Sequence, residues 1–394
     1  MDDAAPRDEL AAAVAASPLR SVRIVAWRDL DDPEAGGSEL HADRVASLWA
    51  DAGLDVELRT SMVAGEARET TRHGYRVVRW GGRYQVFPQV ISEAYRFPKL
   101  RADAVVDIWN GMPFFSPIWQ RGPRLCLLHH VHGEMWRMTL KPAAAAVGDT
   151  IERRLAPLVY RRTPVATLSA SSREEIIGVL GLNARRVHVV EPGVEPQYTQ
   201  GGRRSGDPLV IAVGRLVPVK RYDVLFRALA DARRSVAGLR CVVIGEGYER
   251  PRLEALRRDL DAEGWLELRG RVDERTKLSL YRSAWLVASA SSHEGWGMTL
   301  TEAAACGTPA VATDIAGHRD AVADGVTGLL VADDDQLGVA IAKVLLDDEL
   351  RARLGRAARS RAAGLTWPRT AASLFELLDP AAATGARGAA PGSR

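Results

Sequence analysis

Long apolar runs are missing from this chain of 394 residues. Nowhere do about 20 apolar residues follow one another, so no membrane-spanning helix is expected. The opening residues, Met1-Asp-Asp-Ala-Ala-Pro-Arg-Asp-Glu, begin acidic and lack the apolar core of a secretory leader, which points to the cytoplasm. Cysteine is scarce: Cys126, Cys241 and Cys306 each sit among apolar or alanine neighbours, as buried free thiols of a reducing compartment would. Lysine supplies only five of the 53 basic residues, arginine having replaced it almost everywhere, so a retained lysine is a candidate for lysine-specific chemistry. An excess of one charge is lacking too. With 53 basic against 50 acidic residues the net charge is +3, and no global field argues for nucleic acid. Apolar residues, at 46%, are plentiful enough for the two cores that a chain too long for a single domain requires.

Short apolar runs alternate with helical patterns along both halves, which predicts an α/β protein of two doubly wound, Rossmann-like domains facing a central cleft. Residues 1–20 are alanine-rich and expected to be flexible. The first domain is expected over 21–191. It opens with the strand Val22-Arg-Ile-Val-Ala-Trp27 and a loop ending in Gly36-Gly37, after which Ser38 can cap a helix. Ala104–Trp109 and Arg124–Leu128 are apolar runs ending in Asn110-Gly111 and in His129-His-Val-His132. Ser171 or Ser172 is placed to cap a later helix. Proline, glycine and charge concentrate over 192–207, the expected linker. The second domain is expected over 208–378, its last helix able to pack back on the first, and 379–394 reads as a tail without packing potential.

Three stretches carry chemistry. Ser291-Ser-His-Glu-Gly-Trp-Gly-Met-Thr-Leu-Thr-Glu302 follows a buried strand and opens a helix, so free backbone amides and the positive helix end would meet an anion there. Glu294 and Glu302 flank this turn, and a carboxylate accepts two hydroxyl hydrogen bonds at once, as a vicinal diol offers. The plainer reading makes Thr299-Leu-Thr-Glu302 a capping box and Glu294 a solvated charge. In Gly214-Arg-Leu-Val-Pro-Val-Lys220, a bend at Pro218 can turn Arg215 and Lys220 toward one point, a planar fork and a mobile ammonium that suit a diphosphate. Gly36-Gly37 before a helix is a third, weaker anion site. The three histidines 129, 130 and 132 lack a partner set for zinc, and no metal is expected. From Arg68 to Arg101 arginines and aromatics are dense, including Arg72, Arg76, Arg79, Trp80, Arg83, Tyr84, Tyr95, Phe97 and Lys99. This is either a solvated arginine face with aromatics packed inward or a surface for an anionic, lipid-linked acceptor or membrane.

Glu294-Gly-Trp-Gly-Met-Thr-Leu-Thr-Glu302-Ala resembles the E-x7-E signature of family 4 retaining glycosyltransferases of the GT-B fold, with Trp296 where the family more often has phenylalanine. Gly214-Arg-x4-Lys220 resembles that family's donor-phosphate motif, and Gly36-Gly37-Ser-Glu39 its diphosphate-facing loop. The resemblance implies a nucleoside-diphosphate-sugar donor, a hydroxyl acceptor, retention of configuration, no cofactor and no metal. It further implies that Glu294 contacts the donor sugar, that Glu302 binds ribose hydroxyls, and that Gly295, Trp296, Gly297, Met298 and Thr299 line the donor. Arg215 and Lys220 would stabilise the leaving diphosphate, and backbone near Val272 would meet the base. A histidine at the reaction centre is best matched by His129, with His130 the alternative; His130 and Asn110 are acceptor-side candidates. The remaining alternatives are a GT-B sugar-nucleotide epimerase and a non-enzymatic, arginine-rich binding module.

Overall fold

A computed structural model describes residues 4–97, 102–133 and 135–381. The chain divides into two compact units: Val194–Thr366, and the described residues up to Gly193 together with those from Trp367 onward.

In the first unit eight strands form one sheet: β1 (Ser21–Val25), β2 (Asp55–Thr60), β3 (Glu69–Arg72), β4 (Tyr75–Arg79), β5 (Ala104–Trp109), β6 (Arg124–Leu128), β7 (Val165–Thr167) and β8 (Val187–Val189). Their order is β3-β4-β2-β1-β5-β6-β7-β8, parallel throughout except where β3 runs antiparallel to β4. That pair turns at His73-Gly74, where both residues have positive φ (44° and 85°), the geometry of the tight turn that matches strand twist. Every residue of β5 is buried, as expected of a central parallel strand covered on both faces. In the second unit β9 (Leu209–Val213), β10 (Arg240–Ile244), β11 (Leu266–Gly270), β12 (Leu286–Ser289), β13 (Ala310–Thr313) and β14 (Gly328–Val331) form a wholly parallel sheet in the order β11-β10-β9-β12-β13-β14. Val210, Ala212, Phe226, Leu229, Val243 and Ile341 lie at the centre of its core. Cys126, Cys241 and Cys306 are buried free thiols, and among the described residues no helix is long and apolar enough to cross a membrane.

Several expectations are corrected. The N-terminal segment is not flexible over its described part: Ala4–Ala16 is a helix with Leu10, Ala13 and Val14 buried. It packs on the returning helix Trp367–Leu378, and Ser17 Oγ donates to Asp379 Oδ2 at 2.6 Å. Residues 194–207 do not behave as a free linker, because Tyr198 is fully buried and its hydroxyl donates to Glu274 Oε2 at 2.6 Å. Ser169, rather than Ser171 or Ser172, caps the helix Ala170–Leu180. The tail from 382 and Lys99 lie outside the described residues.

The arginine-rich stretch follows the expected arrangement only in part: Arg76 and Arg83 are exposed and Tyr75 is fully buried, but the other members differ. Arg79 is 0% exposed and donates to Asp29 Oδ2 at 2.6 and 3.0 Å. Arg72 pairs with Asp31 (2.5 Å), Arg76 with Glu57 (2.5 Å) and Arg83 with Glu34. The aromatic residues Trp80, Tyr84, Tyr95 and Phe97 are exposed instead of packed inward. Burying a guanidinium demands a carboxylate partner, and here the acids come from distant segments.

Candidate functional site

Open parallel sheets bind ligands beyond the carboxyl ends of their strands, where the strand order reverses. In the second unit that point falls between the neighbours β9 and β12. The Gly214–Lys220 loop leaves β9 and the Ser291–Gly297 loop follows β12, so the two strongest motifs share this point. The amide of Ser292 donates to Val219 O at 2.9 Å and ties the loops together. Bare backbone lets them pack: a Cβ on Gly245 would lie 1.9 Å from Gly214 O, and one on Gly317 would lie 2.3 Å from Glu294 O. Arg221 then takes a left-handed conformation (φ 47°), ending the short turn Pro218–Lys220 that presents the lysine.

Lys220 Nζ meets Glu294 Oε1 in an ion pair across 74 residues of sequence. Both side chains stay about one-fifth exposed (21% and 18%), so the pair remains reachable from solvent. Ser291 Oγ also donates to Glu294 Oε1, at 2.8 Å. Burial pushes the Glu294 carboxyl up, but the Lys220 ammonium and the Ser291 hydroxyl together hold it below its ordinary value. His318 stands behind the loop, 1% exposed. Its Nδ1 lies 2.8 Å from Thr313 O, which can only accept, so Nδ1 carries the proton. Burial lowers the His318 pKa and keeps the ring neutral, leaving Nε2 as an acceptor 3.3 Å from Ser289 Oγ. Ser289 Oγ in turn lies 3.2 Å from Ser291 Oγ. Ser289 thus gives its one hydrogen to the His318 ring and Ser291 gives its own to Glu294, so Ser291 fixes the carboxylate directly while Ser289 and His318 stand behind it. The Arg215 side chain is exposed and makes no hydrogen bond or ion pair among the described residues.

The helix Met298–Ala305 starts at Gly297 (φ 120°), which has no side chain with which to cap it. Its first amides therefore stay open to an anion. The capping-box reading fails, and Glu302 lies in the second turn rather than the first. There it is 6% exposed, and Oε2 accepts from Tyr281 OH at 2.8 Å with Lys277 Nζ 3.7 Å away. Burial raises the Glu302 pKa, with Lys277 and Tyr281 opposing. Oε1 takes no hydrogen bond from the described residues and is left for another donor. Trp296 is buried, so its ring belongs to the core instead of forming an open wall.

The first unit reverses its strand order between β1 and β5, and the loops after them carry Gly36-Gly37 and Asn110. Gly36, not Ser38, is the N-cap of the helix Gly37–Asp51. Glu39 Oε2 accepts from Gly36 N at 2.8 Å, and Arg28 Nε donates to Glu39 Oε1 at 3.3 Å. Both glycines are exposed. His129 is 4% exposed and its Nε2 lies 3.2 Å from His41 Nδ1. Burial lowers the His129 pKa to about 4 and that of His41 as well, so both rings are neutral. His130 stacks on His132 with ring centres 5.1 Å apart. Glu152, fully buried, accepts from the amides of His132 (2.8 Å) and Gly133 (3.2 Å) and shapes this loop.

Within the second unit, then, Lys220, Glu294 and Gly295 to Thr299 come together beyond the carboxyl ends of the central strands β9 and β12, with Arg215 and Glu302 on the elements beside them. Val272 lies in the loop after β11, whose Gly270 O accepts from Gly245 N at 2.9 Å. His41, Lys277, Tyr281 and His318 were not assigned to a site from the sequence. Only Lys277 carried a signal, as one of the few lysines.

The family model "Glycosyltransferase Family 4" matches residues 35–198, and "Glycosyl transferases group 1" matches 195–361. A D-inositol 3-phosphate glycosyltransferase of Frankia alni is 34% identical over 89% of this chain and 96% of its own length. The enzyme of that name from Xylanimonas cellulosilytica is 33% identical over 64% of this chain; the match spans 65% of that relative's length. Among solved structures, sucrose-phosphate synthase from Thermosynechococcus elongatus superposes with a TM-score of 0.77 at 19% identity, over 91% of this chain and 98% of that one. With two Rossmann-like units of the GT-B class and two family models end to end along most of its length, this chain belongs to the family 4 glycosyltransferases.

Proposed function

We propose that this protein transfers a sugar from a nucleoside-diphosphate-sugar donor to a hydroxyl acceptor with retention of configuration and without a metal. The observation that carries the reading is the meeting of Lys220 and Glu294 at the strand-order reversal, beside an uncapped helix start. As the sugar–phosphate bond breaks, the leaving diphosphate gains about one negative charge. Arg215, Lys220 and the amides at Met298 and Thr299 are suited to hold it, and one such preorganised donor is worth roughly 3–4 kcal/mol. Glu294, kept ionised by its neighbours, accepts sugar hydroxyls, while Oε1 of Glu302 accepts from ribose. Backbone near Val272 is assigned to the base. Gly36-Gly37 and His129, or His130 in its place, are assigned to the diphosphate and the reaction centre, and Asn110 to the acceptor.

No side chain of this constellation stands out as a covalent nucleophile, so the donor phosphate itself draws the acceptor proton on the face it leaves. The relatives' names make a phosphorylated cyclitol the first acceptor to test. Exposed Tyr84, Tyr95 and Phe97 extend the proposal to peripheral contact with an anionic membrane, tested by co-sedimentation with vesicles. A thermal-shift screen of UDP, GDP and ADP sugars identifies the donor, and NMR of the product with acceptor present gives its anomeric configuration. An inverted anomer would overturn retention; a changed sugar nucleotide released without acceptor would establish an epimerase instead.

A further inference from the structure

Most arginines of this chain whose contacts are described above sit against carboxylates, in keeping with a nearly balanced charge. One part of the second unit departs from that rule. The segment 200–205 runs between two hollows. The larger, about 430 Å³, is lined by Arg204, Arg351, Arg356 and Arg359 with Gln200 and Trp285, and holds one acid, Asp348. The smaller, about 310 Å³, is lined by Arg203, Arg275 and Arg282 with Gly202 and Ser279 and holds no acid. Each hollow therefore carries an excess of three positive charges. The side chains of Arg203, Arg275 and Arg356 make no hydrogen bond or ion pair among the described residues. Asp273 acts on Arg275 electrostatically, but its carboxylate already accepts from Thr276 N at 2.7 Å.

The remaining guanidinium groups are held rigidly. Arg204 donates to Thr308 Oγ1 (2.5 Å) and Gly307 O (2.6 Å), Arg351 lies 4.1 Å from the Trp285 ring centre, Arg282 Nε donates to Thr199 O (2.7 Å), and Arg359 donates to Gln200 Oε1 (2.5 Å). Burial lowers the Arg204 pKa and the nearby Arg351 cation lowers it further, a mark of uncompensated positive charge. Charge left unpaired on preorganised forks is the arrangement that recognises phosphate. The hollows are the size of a small-molecule site rather than an extended groove. The larger hollow is also separate from the proposed donor site. Gly307 lies beyond the far end of the helix Met298–Ala305, about 12 Å from the start of that helix at 1.5 Å per residue.

We propose that the two hollows flanking residues 200–205 bind a small molecule carrying two or more phosphate groups. One phosphate brings about −1.5 to −2 charge, too little to balance either hollow. The proposal is independent of the sugar-transfer reading.

The probe is inorganic tripolyphosphate, titrated calorimetrically into the full chain with Arg215→Ala and Lys220→Ala, which disable the proposed donor-phosphate grip. Saturable binding is expected to persist there and to weaken at least about tenfold when Arg203→Glu, Arg275→Glu and Arg356→Glu are added, since each charge-assisted contact is worth roughly 1.5–3 kcal/mol. These three side chains make no hydrogen bond or ion pair among the described residues, so the fold is expected to survive, with circular dichroism as the check. Binding that vanishes with Arg215 and Lys220, ignores the three reversals, or never saturates overturns the proposal. So does association with phosphatidylserine vesicles alone, which would make the region a docking face for membrane.

Discussion

Arg79 in the first unit and Arg215 in the second are the same side chain in opposite circumstances. Arg79 is fully enclosed and bonded to Asp29, with Asp31 beside it. Arg215 is exposed, follows a glycine and has no ion-pair partner among the described residues. The first spends its charge on holding the loop after β1 against β4. The second keeps its charge for something that is not part of the chain. Arginine density alone therefore says little, and the distribution of acids around each guanidinium says which task it has.

That contrast can be broken at either end. The largest effect is expected in the first unit: Arg79→Ala leaves the buried Asp29 with only the longer 3.6 Å contact to Arg72 and should cost about 3–5 kcal/mol of stability, read by chemical denaturation. Next, Lys220→Ala should lower turnover by roughly 10²–10³ while the thermal midpoint stays close to wild type, because the lost ion pair is partly exposed.

Glu302→Ala should weaken nucleoside-diphosphate binding by about 10–100-fold, the worth of a hydrogen bond to a charged group. Its folded pKa is raised by burial, so the ionised carboxylate costs stability as pH rises through that pKa. Glu302→Gln should accordingly lose affinity without losing stability at pH 7. The smallest effect concerns His129. With its pKa lowered to about 4 it is neutral across the working range, and the pH–rate profile should show no inflection of its own between pH 5 and 8. Because that pKa is depressed, the corresponding stability is complete above about 6.5, the unfolded value, and is lost as pH falls toward 4. An inflection near 6.5 that disappears in His129→Gln would contradict its burial.

What was legible in the sequence follows the same division. The strand–loop–helix alternation, Glu294, Lys220 and the uncapped turn between them could be read because each depends on neighbours within about ten residues. The ion pair of Lys220 with Glu294 needed only the knowledge that β9 and β12 are adjacent. Tyr281 and Lys277 against Glu302, or His318 behind Glu294, depend on which helix lies beside which, and periodicity does not contain that. The arginine-rich stretch was read only in part for the same reason, since Asp29, Asp31, Glu34 and Glu57 lie outside it. The N-terminal helix looked loose because its partner, Trp367–Leu378, is at the other end of the chain.

The central claim is that the loops after β9 and β12 grip a nucleoside diphosphate. Calorimetry with UDP, GDP and ADP on the wild type and on Lys220→Ala tests it most directly. The account predicts one-to-one binding of at least one of the three and a loss of at least about tenfold in the variant, the size of one charge-assisted contact. Equal affinity in the two proteins would contradict it.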